Sequence, residues 1–167
     1  MENEADGITR DEVDDDIRLQ DTRFKLVLQT WGGIFRDLMA SSGNTQRGMD
    51  GEKLPFFSRY LDTDSIGVDV FSQNITRGEE AKHPDYCFPP FGMITEFLHF
   101  AEKSRAWCVV ILPEMKGVWI HMTVMAKRRE LRLAERNQKG TLVKFRENAL
   151  RSFSSKYATV AIELDFR

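Results

Sequence analysis

Two adjacent prolines, Pro89 and Pro90, stand between an aromatic run, Tyr86-Cys87-Phe88, and an apolar helical pattern. Neither proline belongs inside a helix or a central strand, because each lacks the N–H and holds φ near one value. Downstream, Phe91, Ile94, Leu98 and Ala101 fall on one helical stripe, with Met93, Phe97 and Phe100 beside it. Strand, rigid turn and helix is the plain expectation. A second apolar run, Trp107 to Leu112, follows and stops at Pro113. It is continuous rather than alternating, as in strands of a parallel sheet covered on both faces. The centre of the chain is therefore expected to be a β-α-β unit. In an open α/β sheet such a turn lies at the carboxyl edge of the strand, where ligands bind.

A chain of 167 residues suits one domain with a real core. Its net charge of −2 makes no overall case for nucleic acid, but the charge is unevenly spread. Met1 to Asp21 holds nine acids against two bases, whereas Lys127 to Lys139 holds six bases against two acids. Residues 1–20 therefore read as an acidic, disordered tail, and 21–167 as the folded domain. The only cysteines, Cys87 and Cys108, lie within apolar strand runs and read as reduced core thiols. No apolar run approaches the roughly 20 residues that span a membrane. An acidic N-terminus also has the wrong sign for a signal or transit peptide. A nuclear or cytoplasmic protein without a membrane partner is the expectation.

Taken in order, Asp21 or Thr22 caps a helix in which Phe24, Val27, Leu28 and Trp31 recur at helical spacing, ended by Gly32-Gly33. Ile34 to Met39 reads as a short strand with Asp37 near its end, and Ala40-Ser41-Ser42-Gly43-Asn44 as a small-residue loop. Residues 45–53 read as a flexible surface loop. Short strands are expected within Leu54–Tyr60 and Gly67–Phe71. A helix is expected from about Val118 to Arg136, stopped by Gly140. Thr141–Phe145 and Tyr157–Phe166 have strand character and are expected to pair as a terminal antiparallel hairpin.

Several of these pieces resemble one known arrangement. Asp37-Leu38-Met39-Ala40-Ser41 with Asn44 resembles "D-L-F-A-S-x-x-N", and Leu54-Pro55-Phe56-Phe57-Ser58 resembles the trailing "L-P-x-F-x-S". Val68-Asp69-Val70-Phe71, then Tyr86 to Ile94, resemble "V-D-A-F…Y-A-F-P-P-F-x-L-I". Val110-Ile111-Leu112-Pro113 with Trp119 resembles the "L-I-x-P-x-W…W" close. That series is typical of the segment behind the RNase H region in tyrosine-recombinase (DIRS-like) retroelement polyproteins. The segment is in turn similar to phage-type DNA N6-adenine methyltransferases. The resemblance implies a three-layer, Rossmann-like, mostly parallel α/β sheet with a C-terminal antiparallel hairpin, and S-adenosylmethionine as the cofactor.

The resemblance also implies roles. Asp37, with Ala40, Ser41 and Asn44 in the following loop and Asp69 further on, would hold the methyl donor. Phe88, Pro89, Pro90 and Phe91 would form the catalytic turn. An adenine methyltransferase accepts a hydrogen bond from the flipped base's amino group while the methyl arrives. In the family this acceptor is the turn's first side chain; here it is Phe88, which has none. The carbonyl of Pro89 and the ring of Phe91 would remain for the base. A lost acceptor costs about 1–3 kcal/mol for a buried amino proton. Catalysis, a non-catalytic ligand groove and simple core packing of Phe88 and Phe91 all stay open. For Asp37 the alternative is a strand-end acid that caps the next loop.

Arg128, Arg132 and Arg136 recur at i, i+4 and i+8, so on a helix they make one positive stripe, with Arg129 beside it. Such a stripe neutralises phosphates of DNA or RNA without reading sequence. The alternative is a solvated face paired with Glu130 and Glu135. No histidine, cysteine or acid stands at metal-ligand spacing, so no metal site is expected. The leading expectation is a catalytically degenerate methyltransferase-like module of retroelement origin that binds nucleic acid. An active S-adenosylmethionine-dependent DNA adenine methyltransferase and a protein-interaction module with a collapsed pocket are the alternatives. Other parts of a polyprotein, or host proteins, are the further partners implied.

Overall fold

The computed structural model describes residues 17–115, 119–146 and 149–167. The chain forms β1 (Ile17–Leu19), α1 (Asp21–Trp31), β2 (Phe57–Ser58), β3 (Gly67–Val68), β4 (Asp85–Cys87), α2 (Ile94–Lys103) and β5 (Trp107–Pro113). It continues with α3 (Ile120–Thr123), β6 (Lys127–Ala134), β7 (Leu142–Arg146), β8 (Ala149–Phe153) and β9 (Thr159–Asp165).

The expected strand, Pro-Pro turn and helix are all present. A short 3₁₀ turn, Phe91–Met93, links the prolines to α2. Ile94, Phe97, Leu98 and Ala101 form the buried stripe of α2. Fully withdrawn Ile, Phe and Leu side chains stabilise by about 1.5–3 kcal/mol each. They pack on Cys108, Val110 and Leu112 of β5 and on Val160, Ile162 and Leu164 of β9. The opposite face carries Val109 and Ile111, and Ala161 of β9, against Phe24, Val27 and Leu28 of α1. Both faces of β5 are thus covered, which is why its sequence is apolar without alternation. The αL conformation of Gly32, at φ 74°, ends α1. The helix starts at Asp21 without a side-chain cap, and Asp21 pairs with Arg18 instead.

The sheet itself corrects the expected fold. The three-layer, Rossmann-like, mostly parallel architecture is not what forms. There are three helices among the described residues, one of them only four residues long, and the sheets are small and mixed. The central sheet runs β4-β5-β9-β6, parallel between β4 and β5 and antiparallel at β5–β9 and β9–β6. A second sheet, β1-β7-β8, is antiparallel throughout, and β2 pairs β3 in parallel. Residues 59–84 are too polar and too rich in turn formers to supply the crossover helices that a parallel sheet needs.

Three further expectations change. The basic segment is not a helix: Lys127–Ala134 is a strand at the sheet edge. Leu131 and Leu133 alternate toward the α1 side of the core, so their period of two prevails over the spacing of the arginines. The terminal hairpin also differs. β7 pairs β8 and β1, while β9 lies in the middle of the central sheet between β5 and β6. Finally, β1 begins within the span expected to be tail, with Ile17 and Leu19 buried; residues 1–16 lie outside the described residues. No described helix is long and apolar enough to cross a membrane.

Candidate ligand slot at the strand tips

Residues 34–39 make no full strand, but Asp37 bridges Phe56 on one side and Tyr86 on the other, both in parallel. The N–H of Leu38 donates to the carbonyl of Tyr86 at 2.8 Å, and the N–H of Tyr86 donates to the carbonyl of Arg36 at 2.9 Å. The N–H of Ala40 donates to the carbonyl of Phe57 at 3.0 Å. These bonds set the loop after Asp37, the end of β2 and the Pro-Pro turn around one slot. Leu38, Met39, Phe57, Phe71, Phe88 and Met93 give it apolar walls, with Ala40, Asn44, Arg59, Asp69 and Pro90 at its edges. It encloses about 470 Å³ counting its open mouth, of which only about 50 Å³ is reachable by the centre of a water molecule. The slot is narrow, suited to one flat or aliphatic group.

The four motif stretches around Asp37, Phe57, Asp69 and Phe88 thus converge on one place, though their residues do not all face it. Asp37 is buried and absent from the slot walls. Its carboxyl turns under the following loop, where the N–H of Met39 donates to it at 3.3 Å and that of Gln46 also contributes. With no cation to offset burial, desolvation pushes its pKa up from 3.8 to about 8, against the lowering effect of those N–H groups. This is the loop-capping geometry rather than a ligand grip.

Ser41 and Asn44 close a tight turn. The N–H of Ser41 donates to Asn44 Oδ1 at 2.6 Å, and Asn44 Nδ2 donates to the carbonyl of Ile17 at 3.3 Å, tying the loop to β1. Asn44 and Ala40 reach the slot; Ser41 does not. Asp69 sits on the rim in an unusual backbone conformation, φ 62° and ψ 96°, and caps a 3₁₀ turn (Val70–Ser72) by accepting from the N–H of Phe71 at 3.1 Å. A non-glycine residue held there costs of order 1–3 kcal/mol.

At the turn, Phe88 is buried and lines the slot together with Pro90. Phe91 points elsewhere: its ring meets Trp119 edge-on, centroids 6.5 Å apart. The ring side chains actually at the slot are Phe57, Phe71 and Phe88. Phe57 and Phe71 are residues that periodicity alone did not single out, although both fall inside the motif stretches. Cys87 and Cys108 are buried thiols, and burial raises the pKa of Cys108 above its ordinary value.

The basic strand is largely engaged with its own surroundings. Arg132 pairs with Glu114 and with Glu135, and Lys127 with Glu130 at 3.1 Å. Arg129 donates to the carbonyl of Thr30 at 2.6 Å and lies over the Trp31 ring. Arg128 reaches the carbonyl of Met125 at 3.4 Å, and Arg136 is exposed in the turn beyond the strand. As a strand with irregular register near both ends, the segment does not present Arg128, Arg132 and Arg136 as one helical stripe. Among the described residues no cluster of three or more histidine, cysteine or acidic side chains is placed to hold a metal. Set against protein families, curated proteins and solved structures, the chain matches none of them.

Proposed function

We propose that this chain is a nucleic-acid-binding module of retroelement origin that carries out no methyl transfer. The observation that carries the reading is the slot at the strand tips. It is apolar, ring-lined and narrow, and Phe88 stands where the resemblance places the hydrogen-bond acceptor of an adenine methyltransferase. An unpaired base needs only flat apolar faces to stack, so such a slot suits a base of a single strand without reading which base it is. Phe88 offers no acceptor at the turn position from which the resemblance would orient an amino nitrogen for attack. The burial of Asp37 beneath its own loop removes the acid that would have held a methyl donor. The retroelement origin rests on the five motif matches.

Fluorescence anisotropy with a labelled single-stranded oligonucleotide, repeated over a salt series, tests this reading. Binding that weakens with salt and is reduced by Phe71→Ala is the expected result. The same protein incubated with S-adenosylmethionine and adenine-containing DNA should form no N6-methyladenine by mass spectrometry. Methylated product, or no binding even at low salt, overturns the proposal.

A second reading has one observation in its favour. Tyr60, Leu61, Ile66 and Val68, around β3, are exposed at 64%, 89%, 53% and 37%. That apolar rim favours a protein-interaction module, and a stable protein partner in place of an oligonucleotide would support it.

A further inference from the structure

The loop that contributes Ala40 and Asn44 to the slot also lines a second, polar cavity. It is lined by Arg18 from β1, Asp21 from the start of α1, Ser42, Gly43 and Thr45 from the loop, and Arg47 and Lys53 from the stretch that follows. About 270 Å³ of it is reachable by the centre of a water molecule, several times the corresponding space in the apolar slot. Three cationic side chains face it against one carboxylate, Asp21, which pairs with Arg18. Asp62 lies nearby, accepting from the N–H of Ser42 at 2.9 Å and interacting with Lys53.

Arg18 is paired with Asp21, whereas Arg47 and Lys53 are held in place by backbone carbonyls. Arg47 Nη1 donates to the carbonyl of Gly51 at 3.0 Å, and Lys53 Nζ donates to the carbonyl of Ser42 at 2.8 Å. A guanidinium has five N–H donors and an ammonium three, so each keeps donors for a ligand. Among the described residues neither side chain has a carboxylate partner at ion-pair distance. The frame is firm: Thr45 and Gln46 are buried, and Gln46 Nε2 donates to the carbonyl of Leu19 at 3.3 Å. Arg47 and Lys53 are tied across the base of their turn by an antiparallel bridge.

We infer that this cavity is a phosphate site, with Arg47, Lys53 and Arg18 as its donors. A tetrahedral oxyanion matches the chemistry: several N–H donors line a roomy, positive recess. A base in the apolar slot and a phosphate in this cavity would share the same short loop. That assigns the ligand as a nucleotide unit, either free or within a strand, and this last step rests on the nucleic-acid reading above.

The test follows the backbone amide signals of Ser42, Gly43, Thr45, Arg47 and Lys53 while inorganic phosphate is added to the full chain at low salt. Saturable shifts confined to these residues are expected, and they should be lost in Arg47→Gln. Arg47→Gln/Lys53→Gln should weaken oligonucleotide binding at least tenfold and lower the salt slope by about 1.4, two cations at about 0.7 each for a single strand. The single Arg47→Gln change removes only an exposed side chain, so it keeps the test open if the double variant does not fold. Phosphate shifts that vanish in Arg47→Gln while oligonucleotide binding stays unchanged would uphold the phosphate site and overturn its place in strand binding. A free nucleotide that reproduces the shifts identifies that source. Amides that do not move with phosphate, or that move equally in Arg47→Gln, overturn the site. Phe71→Ala removes a slot wall and an edge contact with Phe100 but no residue of the polar cavity, so unchanged oligonucleotide binding in that variant with phosphate shifts intact refutes the base reading and not this one.

Discussion

Arg36 and Asp85 meet through two bonds at the edge of the central sheet, Nε to Oδ1 at 3.0 Å and Nη2 to Oδ2 at 3.2 Å. Asp85 is wholly buried in β4, and the Arg36 side chain is 13% exposed. The pair stands directly behind the strand tips that form the slot, because the carbonyl of Arg36 also receives the N–H of Tyr86. Arg36 lies over the rings of Phe35 and Phe57, so one side chain links the acid, the sheet edge and a slot wall.

The ion pair leads to the first prediction. Burial raises the pKa of Asp85 to about 6, while Arg36 and then Arg77 act in the opposite direction. Arg36→Met leaves a buried acid without its main partner, which costs about 3–5 kcal/mol. A raised folded pKa means that stability falls as pH rises from near 4 toward that value. In Arg36→Met the fall should extend to higher pH, and adding Asp85→Asn should recover most of the loss. Urea denaturation across pH reads both effects. A cost below about 1 kcal/mol would show that the pair is not the anchor of this edge.

Asp37 gives the second. Its folded pKa of about 8 lies far above 3.8, so the native state holds a proton that the unfolded chain releases. Stability from this group is greatest below pH 4 and declines as pH rises through 8, by up to about 1.4 kcal/mol per pH unit. Asp37→Asn keeps an oxygen for the N–H groups of Met39 and Gln46 and cannot ionise. The variant should therefore match the parent at or below about pH 4 and exceed it by a margin that grows with pH, up to about 5 kcal/mol near pH 8. Parallel pH profiles for the two proteins would mean that the carboxyl is solvated or paired.

Much of this was readable wherever local apolar spacing decides the outcome. Phe24, Val27 and Leu28 mark α1, and Ile94, Phe97, Leu98 and Ala101 mark α2, because burying one helix face is a local requirement. The strand at Lys127 was not readable from its charges: Arg128, Arg132 and Arg136 have helical spacing, yet exposed charges decide little, and Leu131 and Leu133 set the period. The position of β9 was hidden because strand pairing is a long-range choice. The one local sign was the unbroken apolar run Val160-Ala161-Ile162, of the same kind as in β5. At the site, the motif stretches converge, but no motif states which way Asp37 turns. Arg18, Arg47 and Lys53 come from separate segments, so nothing short of the fold brings them to one cavity.

The central place of β9 carries the third prediction. Leu164 is fully buried opposite Cys108 and packs against the α2 side of the core. Leu164→Ala should cost 2–5 kcal/mol, as deep large-to-small changes do. Had the last strand been one arm of a peripheral hairpin, the loss would be small. Thermal and urea unfolding decide the matter; a change under about 1 kcal/mol contradicts the sheet order β4-β5-β9-β6.

The fourth prediction separates the two positive surfaces of the molecule. Arg129 is committed to the carbonyl of Thr30 and the ring of Trp31, and Arg132 to Glu114 and Glu135. Using either for a phosphate means giving up contacts already made, whereas the hydrogen bonds of Arg47 and Lys53 go to backbone carbonyls and both side chains line a cavity. Arg129→Gln and Arg132→Gln should leave oligonucleotide affinity within about threefold and stability little changed, because both side chains are exposed. Arg47→Gln should weaken binding more than either and reduce its salt dependence. Anisotropy titrations on the three variants at two salt concentrations make the comparison. A loss beyond tenfold in Arg129→Gln or Arg132→Gln, with Arg47→Gln unaffected, would move the phosphate contact to the edge strand β6 and away from the loop that lines both cavities.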